Sequence, residues 1–264
     1  MKIIERDNAI IQYTRDGNGE TTLLFVHGSY IDHTYWMAQI DHFTSHYTVV
    51  TFDLPGHGAS GKERESWTVE GFALDVITVV KELALQNVIL IGHSLAADIN
   101  LMAATMAPEL FIGFIAIDYY KNAGFPLAEE EQVNEIRKNL RLDFAATNEQ
   151  YARMALLTPQ TPPDITDSVV KAYRNAYAPM GIPTMEQIFD IYTVEKKLLP
   201  LLNFKLYLIN VDYLPTQEEP LKTYAKRGYS LAHMKGTSHF PMIEHPQKLN
   251  TLLESFIAEI EGKV

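Results

Sequence analysis

The sequence predicts an α/β fold, a mostly parallel, doubly wound sheet interrupted by an all-helical insertion. Three observations carry the prediction. Short, almost wholly apolar runs bounded by turn residues alternate with stretches of helical periodicity, the pattern of strands buried on both faces and joined through helices. Between 119 and 197 that alternation stops, and proline-broken helical segments follow one another without a strand. The 264 residues, 47% apolar and 21% charged, suit one large domain or a core with a small insertion.

In order, Lys2–Glu5 and Ala9–Tyr13 read as an antiparallel pair, with a turn at Asp16-Gly17-Asn18-Gly19. Thr21–Val26 is the first buried strand and ends in His27-Gly28-Ser29-Tyr30. Thr34–Ser45 has helical spacing, with Trp36, Ile40 and Phe43 inward, and Tyr47–Phe52 is the next strand. The octet Asp53-Leu54-Pro55-Gly56-His57-Gly58-Ala59-Ser60 has turn chemistry, because Pro55 fixes φ and the glycines allow positive φ. Its expected role is structural, and His57 is expected to be a loop histidine. Thr68 is a candidate N-cap for a helix to about Gln86, whose apolar stripe is Phe72, Val76, Val79, Val80 and Leu83.

The stretch Asn87–Ala96 organises the rest. Asn87–Ile91 is a buried strand, and Leu95–Ala107 favours helix. Ser94 stands between them, with the small residues Gly92 and Ala96 two positions to either side. A serine on a tight strand-to-helix turn is the layout of a nucleophile elbow, and the new helix aims its positive end and free N–H groups at the hydroxyl. Phe111–Ile117 is the following strand, ending at Asp118. Helical segments are expected at Glu129–Phe144, Glu149–Leu157, Ile165–Ala176 and Met185–Val194. The region is rich in aromatic residues and methionine (Tyr119, Tyr120, Phe125, Tyr151, Met154, Tyr173, Tyr177, Met180, Phe189 and Tyr192). Some should line a pocket and the others pack. Phe204–Ile209 resumes the sheet, Gln217–Lys226 is a helix, Tyr229–Met234 is the last strand, and Pro246 opens a helix to about Glu261.

On these residues the chain resembles the α/β-hydrolase superfamily, with Ala96 where Gly-x-Ser-x-Gly has its last glycine. The resemblance implies a core of residues 1–118 and 198–264 and a helical lid at 119–197. It implies Ser94 as nucleophile and His239, in Gly236-Thr237-Ser238-His239-Phe240, as general base. It also implies the backbone N–H groups of Ser29 and Leu95 as oxyanion donors. His93 is expected to be a packing position of the elbow. Two aspartates compete as the acid that holds the imidazole. Asp212 follows the strand after the lid, the commoner place. Asp118 ends the preceding strand, and the short segment Asn210-Val211-Asp212-Tyr213-Leu214-Pro215 tilts the choice slightly towards it.

A serine in that place argues against dehalogenase and epoxide hydrolase chemistry, which use aspartate there in this fold, and points to acyl transfer to water. The expected activity is hydrolysis of a small to medium, largely apolar carboxylic ester, lactone or thioester. Carbon–carbon bond hydrolysis and cofactor-free haloperoxidase chemistry share the triad. A ligand-sensing receptor with a weak triad is the alternative of another class.

The remaining expectations come from composition. A net charge of -11 repels nucleic acid and anionic membrane. Cysteine is absent, which removes disulfides and thiolate metal sites, and no His-Glu-x-x-His spacing occurs, so neither metal nor cofactor is expected. The first residues lack the apolar core of a signal peptide, and Leu198–Ile209 is too short to span a bilayer. A cytoplasmic protein with a small-molecule substrate is expected, and a homodimer is compatible with it.

Overall fold

The computed structural model describes residues 2–263. Its eight strands are β1 (Lys2–Arg6), β2 (Ala9–Asp16), β3 (Thr22–Val26), β4 (Thr48–Phe52), β5 (Val88–His93), β6 (Phe111–Ile117), β7 (Leu206–Val211) and β8 (Tyr229–Met234). They form one sheet in the order β1-β2-β4-β3-β5-β6-β7-β8. Only β1–β2 and β2–β4 pair antiparallel; the other neighbours are parallel. Every residue of β3, β4, β5 and β7 is buried, because helices cover both faces of a doubly wound sheet.

The helices outside the insertion are α1 (Met37–Phe43), α2 (Val69–Glu82) and α3 (Ala96–Met106) before it. A turn of 3₁₀ helix at His33–Trp36 leads into α1, so the expected helix 34–45 is split. Its inward face is as expected: Trp36, Ile40 and Phe43 are buried, and Trp36 packs on Phe25 with ring centroids 5.1 Å apart. Thr68 caps α2 by accepting a hydrogen bond from the Gly71 N–H at 2.9 Å, which satisfies one of the helix's free donors. The helix stops at Glu82, short of the expected Gln86, and Ala84 and Asn87 take left-handed backbone to turn the chain into β5.

Between β6 and β7 the described residues form only helices and loops: α4 (Glu130–Leu142), α5 (Phe144–Tyr151), α6 (Pro163–Arg174), α7 (Ala178–Ile188) and α8 (Tyr192–Leu198). Two boundaries differ from expectation. The segment expected as Glu149–Leu157 is the end of α5 continued by a π-helical turn, Ala152–Leu156. The segment expected as Met185–Val194 is divided between two helices with a break at 189–191, and the first begins earlier than expected because Pro179 sits in the first turn of α7 and Pro183 is held inside it. Proline at a helix start loses nothing, since that N–H has no partner anyway. After β7 come α9 (Glu218–Tyr224), a short α10 (Pro241–Glu244) and α11 (Pro246–Ile260). No helix among the described residues is long and apolar enough to cross a membrane.

The octet after β4 is a structural turn. The Asp53 carboxylate accepts the backbone N–H of His33 and of Ala59, both at 2.8 Å. A side chain on Gly58, whose φ is +47°, would come within 2.2 Å of that carboxylate. His57 is not an exposed loop residue, as a loop position would suggest. It is buried and packs between the rings of His27 and Tyr30. Burial and the neighbouring His27 push it down to about 3, so it is a neutral packing group.

Candidate active site

The loops that leave the carboxyl ends of β3, β5, β6 and β8 converge on one cavity, as open parallel sheets favour. The cavity is about 380 Å³ and is lined by Ser29, Ser94, Leu95, Asp118 and His239 together with residues of the insertion. The size is that of a small-molecule site. Of the aromatic-rich set, Tyr119, Tyr120, Phe125, Tyr151, Tyr173, Phe189 and Tyr192 line it. Met180 instead packs over Gly56, Tyr177 lies on Trp67, and Met154 is exposed.

Ser94 has φ +55°, left-handed backbone on a residue with a side chain. Such a conformation is held only by its surroundings, here the Ser94 N–H bonded to the Ile117 carbonyl at 3.1 Å and the Ala97 N–H returning to the Ser94 carbonyl at 2.8 Å. Gly92 is required by the same bend. A Cβ there would stand 2.7 Å from the Ala96 carbonyl oxygen and 2.6 Å from the Asn100 amide. Gly28 does the same for the facing loop, since a Cβ on it would come 2.7 Å from His93 Nδ1 and 3.0 Å from Ser94 Cβ. The bare backbone at residue 28 is what lets the loop with Ser29 lie against the elbow. Neither the Ser29 nor the Leu95 N–H has a backbone carbonyl partner among the described residues.

His239 is buried, and its Nδ1 lies 2.6 Å from Asp118 Oδ2. A carboxylate there can only accept, so Nδ1 carries the proton and Nε2 is left as the basic nitrogen. Nε2 has no hydrogen-bond partner among the described residues. The backbone of His239 is gripped at both ends. Its N–H donates to the Leu156 carbonyl of the π-helical turn at 3.0 Å, and its carbonyl accepts from His93 Nε2–H at 2.7 Å. His93 is fully buried, with ring centroid 4.5 Å from that of His239, and burial holds it well below the usual histidine range. The packing position is therefore also a hydrogen-bonding one.

Asp118 and Asp212 part company. Asp118 is buried, its Oδ1 accepting the Val211 N–H at 3.1 Å and the Lys121 ammonium at 2.8 Å. Asp212 is exposed, and its N–H donates to the Met234 carbonyl. Strand β7 runs through Val211, and the Asp212 N–H continues its pairing with β8, while the hydrogen bond to the His239 ring comes from Asp118. Lys121 was not among the expected site residues. Its signal in the sequence is a cation three positions after the strand-end aspartate, which a turn brings back onto that aspartate.

A second polar group closes the far wall. Glu195 of α8 lines the cavity and accepts the Gly124 N–H, while Asp98 of α3 takes the Tyr119 hydroxyl at 2.6 Å. Burial pushes Glu195 up to about 7, and burial together with Glu195 pushes Asp98 well above the carboxylate range.

Comparison with known proteins agrees with this architecture. The chain is 30% identical over 155 residues to the karrikin insensitive 2 receptor CA of Petunia hybrida, 53% of this chain and 55% of that one. The chain spans about half the length of the curated relatives it matches. Among solved structures, an enol-lactonase from Burkholderia xenovorans superposes with a TM-score of 0.80 at 14% identity, over 97% of this chain and all of that one. An esterase from Thermogutta terrifontis superposes at 0.79 with 18% identity, over 96% and 94% of the two chains. At those identities the likeness is one of fold. Residues 23–252 match the alpha/beta hydrolase family, and the chain belongs to that family.

Proposed function

We propose that this protein is a serine hydrolase that cleaves a small to medium, largely apolar carboxylic ester, lactone or thioester through an acyl-enzyme. The observation that carries the reading is the Asp118–His239 contact of 2.6 Å, with the free Nε2 of His239 and Ser94 on the wall of one cavity. In this reading the Ser94 hydroxyl attacks the substrate carbonyl and passes its proton to Nε2. The N–H groups of Ser29 and Leu95 hold the resulting oxyanion. Nε2–H then protonates the leaving group, and water repeats the sequence to release the acid. Asp118 keeps the proton on Nδ1 and stabilises the imidazolium. The substrate class follows from the wall, which is mostly aromatic and aliphatic. Ser94→Ala should abolish p-nitrophenyl acetate hydrolysis and labelling by a fluorophosphonate; retained hydrolysis by a folded variant refutes the assignment.

A second reading has a specific observation behind it, the relatedness to a karrikin receptor. Under it the cavity senses a ligand and turns it over slowly. Turnover far below 1 s⁻¹ on every small acyl substrate, together with ligand-induced thermal stabilisation, would favour it.

A further inference from the structure

Asp118 has more donors on it than the task of orienting one imidazole requires. Oδ2 faces His239 Nδ1 at 2.6 Å, while Oδ1 takes both the Val211 N–H and the ammonium of Lys121. The Asp118 side chain is fully buried and that of Lys121 is 11% exposed, so the pair is screened little by water. Lys121 is held from other sides as well. Its Nζ donates to the Val211 carbonyl at 3.0 Å and lies 4.3 Å from the centre of the Tyr213 ring.

The loop is shaped to make this contact. Asp118 and Tyr120 both have left-handed backbone, at φ +50° and +52°. The backbone of Tyr119 between them is tied on both sides to the Asn210 amide, at 3.1 and 3.0 Å. Two such non-glycine residues within three positions fold the chain back so that residue 121 reaches the side chain of residue 118. Strain of this kind persists only where the surroundings enforce it.

We propose that Lys121 is a positioning residue that sets the basicity of His239 through Asp118. The proposal rests on the serine-hydrolase reading above. An ammonium on one carboxylate oxygen offsets part of the charge that would otherwise stabilise the imidazolium on the other. Lys121 thereby weakens the hold of Asp118 on an imidazolium formed when the ring takes the Ser94 proton. For the same reason the protonated ring gives the proton more readily to the leaving-group oxygen.

The other groups around the pair do not compete for this role. Tyr213, beyond β7, and Tyr151, in the insertion, have phenols pushed up by burial and by Asp118. His93 from the elbow is held neutral by burial. Asp212 is exposed, and Glu195 lies at the Gly124 end of the wall. Lys121 is the one lysine or arginine on the cavity wall among the described residues.

The test follows the His239 imidazole by ¹⁵N NMR against pH in the parent chain and in Lys121→Gln, Lys121→Met and Lys121→Arg. Glutamine keeps a donor for the Val211 carbonyl without the charge, so it decides the matter if methionine unfolds the loop. The expected result is a titration midpoint higher by about 1 pH unit in the Gln and Met variants and close to the parent in Arg. The rate of fluorophosphonate labelling at Ser94 should fall about tenfold on the acid side in the same two variants. A folded Gln variant that titrates like the parent overturns the proposal, as does an Arg variant that behaves like Gln. Absence of labelling in the parent refutes the hydrolase reading instead, and leaves the NMR comparison to judge Lys121 alone.

Discussion

Replacing Glu195 by glutamine should make the protein more stable above neutral pH than the parent, although it removes a charge that accepts a backbone hydrogen bond. Glu195 is 6% exposed, and burial raises it from 4.5 to about 7. Between those two values the unfolded chain has released the proton that the folded chain keeps. This contribution to stability is thus complete below about pH 4.5, declines as pH rises, and is lost once pH passes about 7. The span is about 2.5 pH units at 1.36 kcal/mol each, or about 3 kcal/mol. Glutamine has no proton to lose, and its carbonyl oxygen can still accept the Gly124 N–H. It also relieves Asp98, whose carboxyl is raised in part by Glu195 and whose Oδ1 has no partner among the described residues. Urea unfolding followed by circular dichroism at pH 5 and pH 8 measures the effect. The parent should lose about 2.5 kcal/mol more than Glu195→Gln between those two conditions, because pH 5 already lies inside the window. Parallel losses in the two chains would refute the argument.

Two further outcomes follow from the geometry. Asp118→Asn should lower kcat on a p-nitrophenyl ester by about 10⁴, since an amide no longer fixes the imidazole tautomer. Asp212→Asn, at an exposed site, should leave kcat within about twofold; comparable losses in the two would contradict the assignment. Asp75→Ala removes the buried carboxylate shared by Arg6 and Arg64, bonded to Arg64 at 2.7 and 2.8 Å, and leaves Arg64, 1% exposed at the side chain, with only the half-exposed Asp7 as a charged partner. It should cost about 3–5 kcal/mol in denaturant unfolding.

The parts of the fold legible in the sequence are those fixed by local composition. Apolar runs such as Leu23–Val26 and Val88–Ile91 can be satisfied only in the middle of a covered sheet, and β3 and β5 lie there. The elbow was legible because a strand, a small residue, a serine and a helix follow in order. Features that depend on chain segments far apart were not. Pro183 reads locally as a break, yet it stays inside α7, whose Met180 and Met185 are buried in the core. His27, His57 and His93 carry no sign in the sequence that they pack against one another or against His239. The contact of Asp118 with His239 joins residues 121 positions apart, so local spacing could only tilt the choice between Asp118 and Asp212. Lys121 needed two left-handed residues to reach Asp118, and neither Asp118 nor Tyr120 is a glycine that would have marked the turn.

The bond from the His239 N–H to the Leu156 carbonyl joins the proposed base to the helical insertion. Leu156 closes the π-helical turn that follows α5, and α5 itself packs against α6 through Asn148, whose amide donates to the Tyr173 carbonyl. Leu156 thus supplies one of the two backbone hydrogen bonds on residue 239, and His93 supplies the other. Under the serine-hydrolase reading, the placement of the insertion and the orientation of the His239 ring are therefore linked through that one bond.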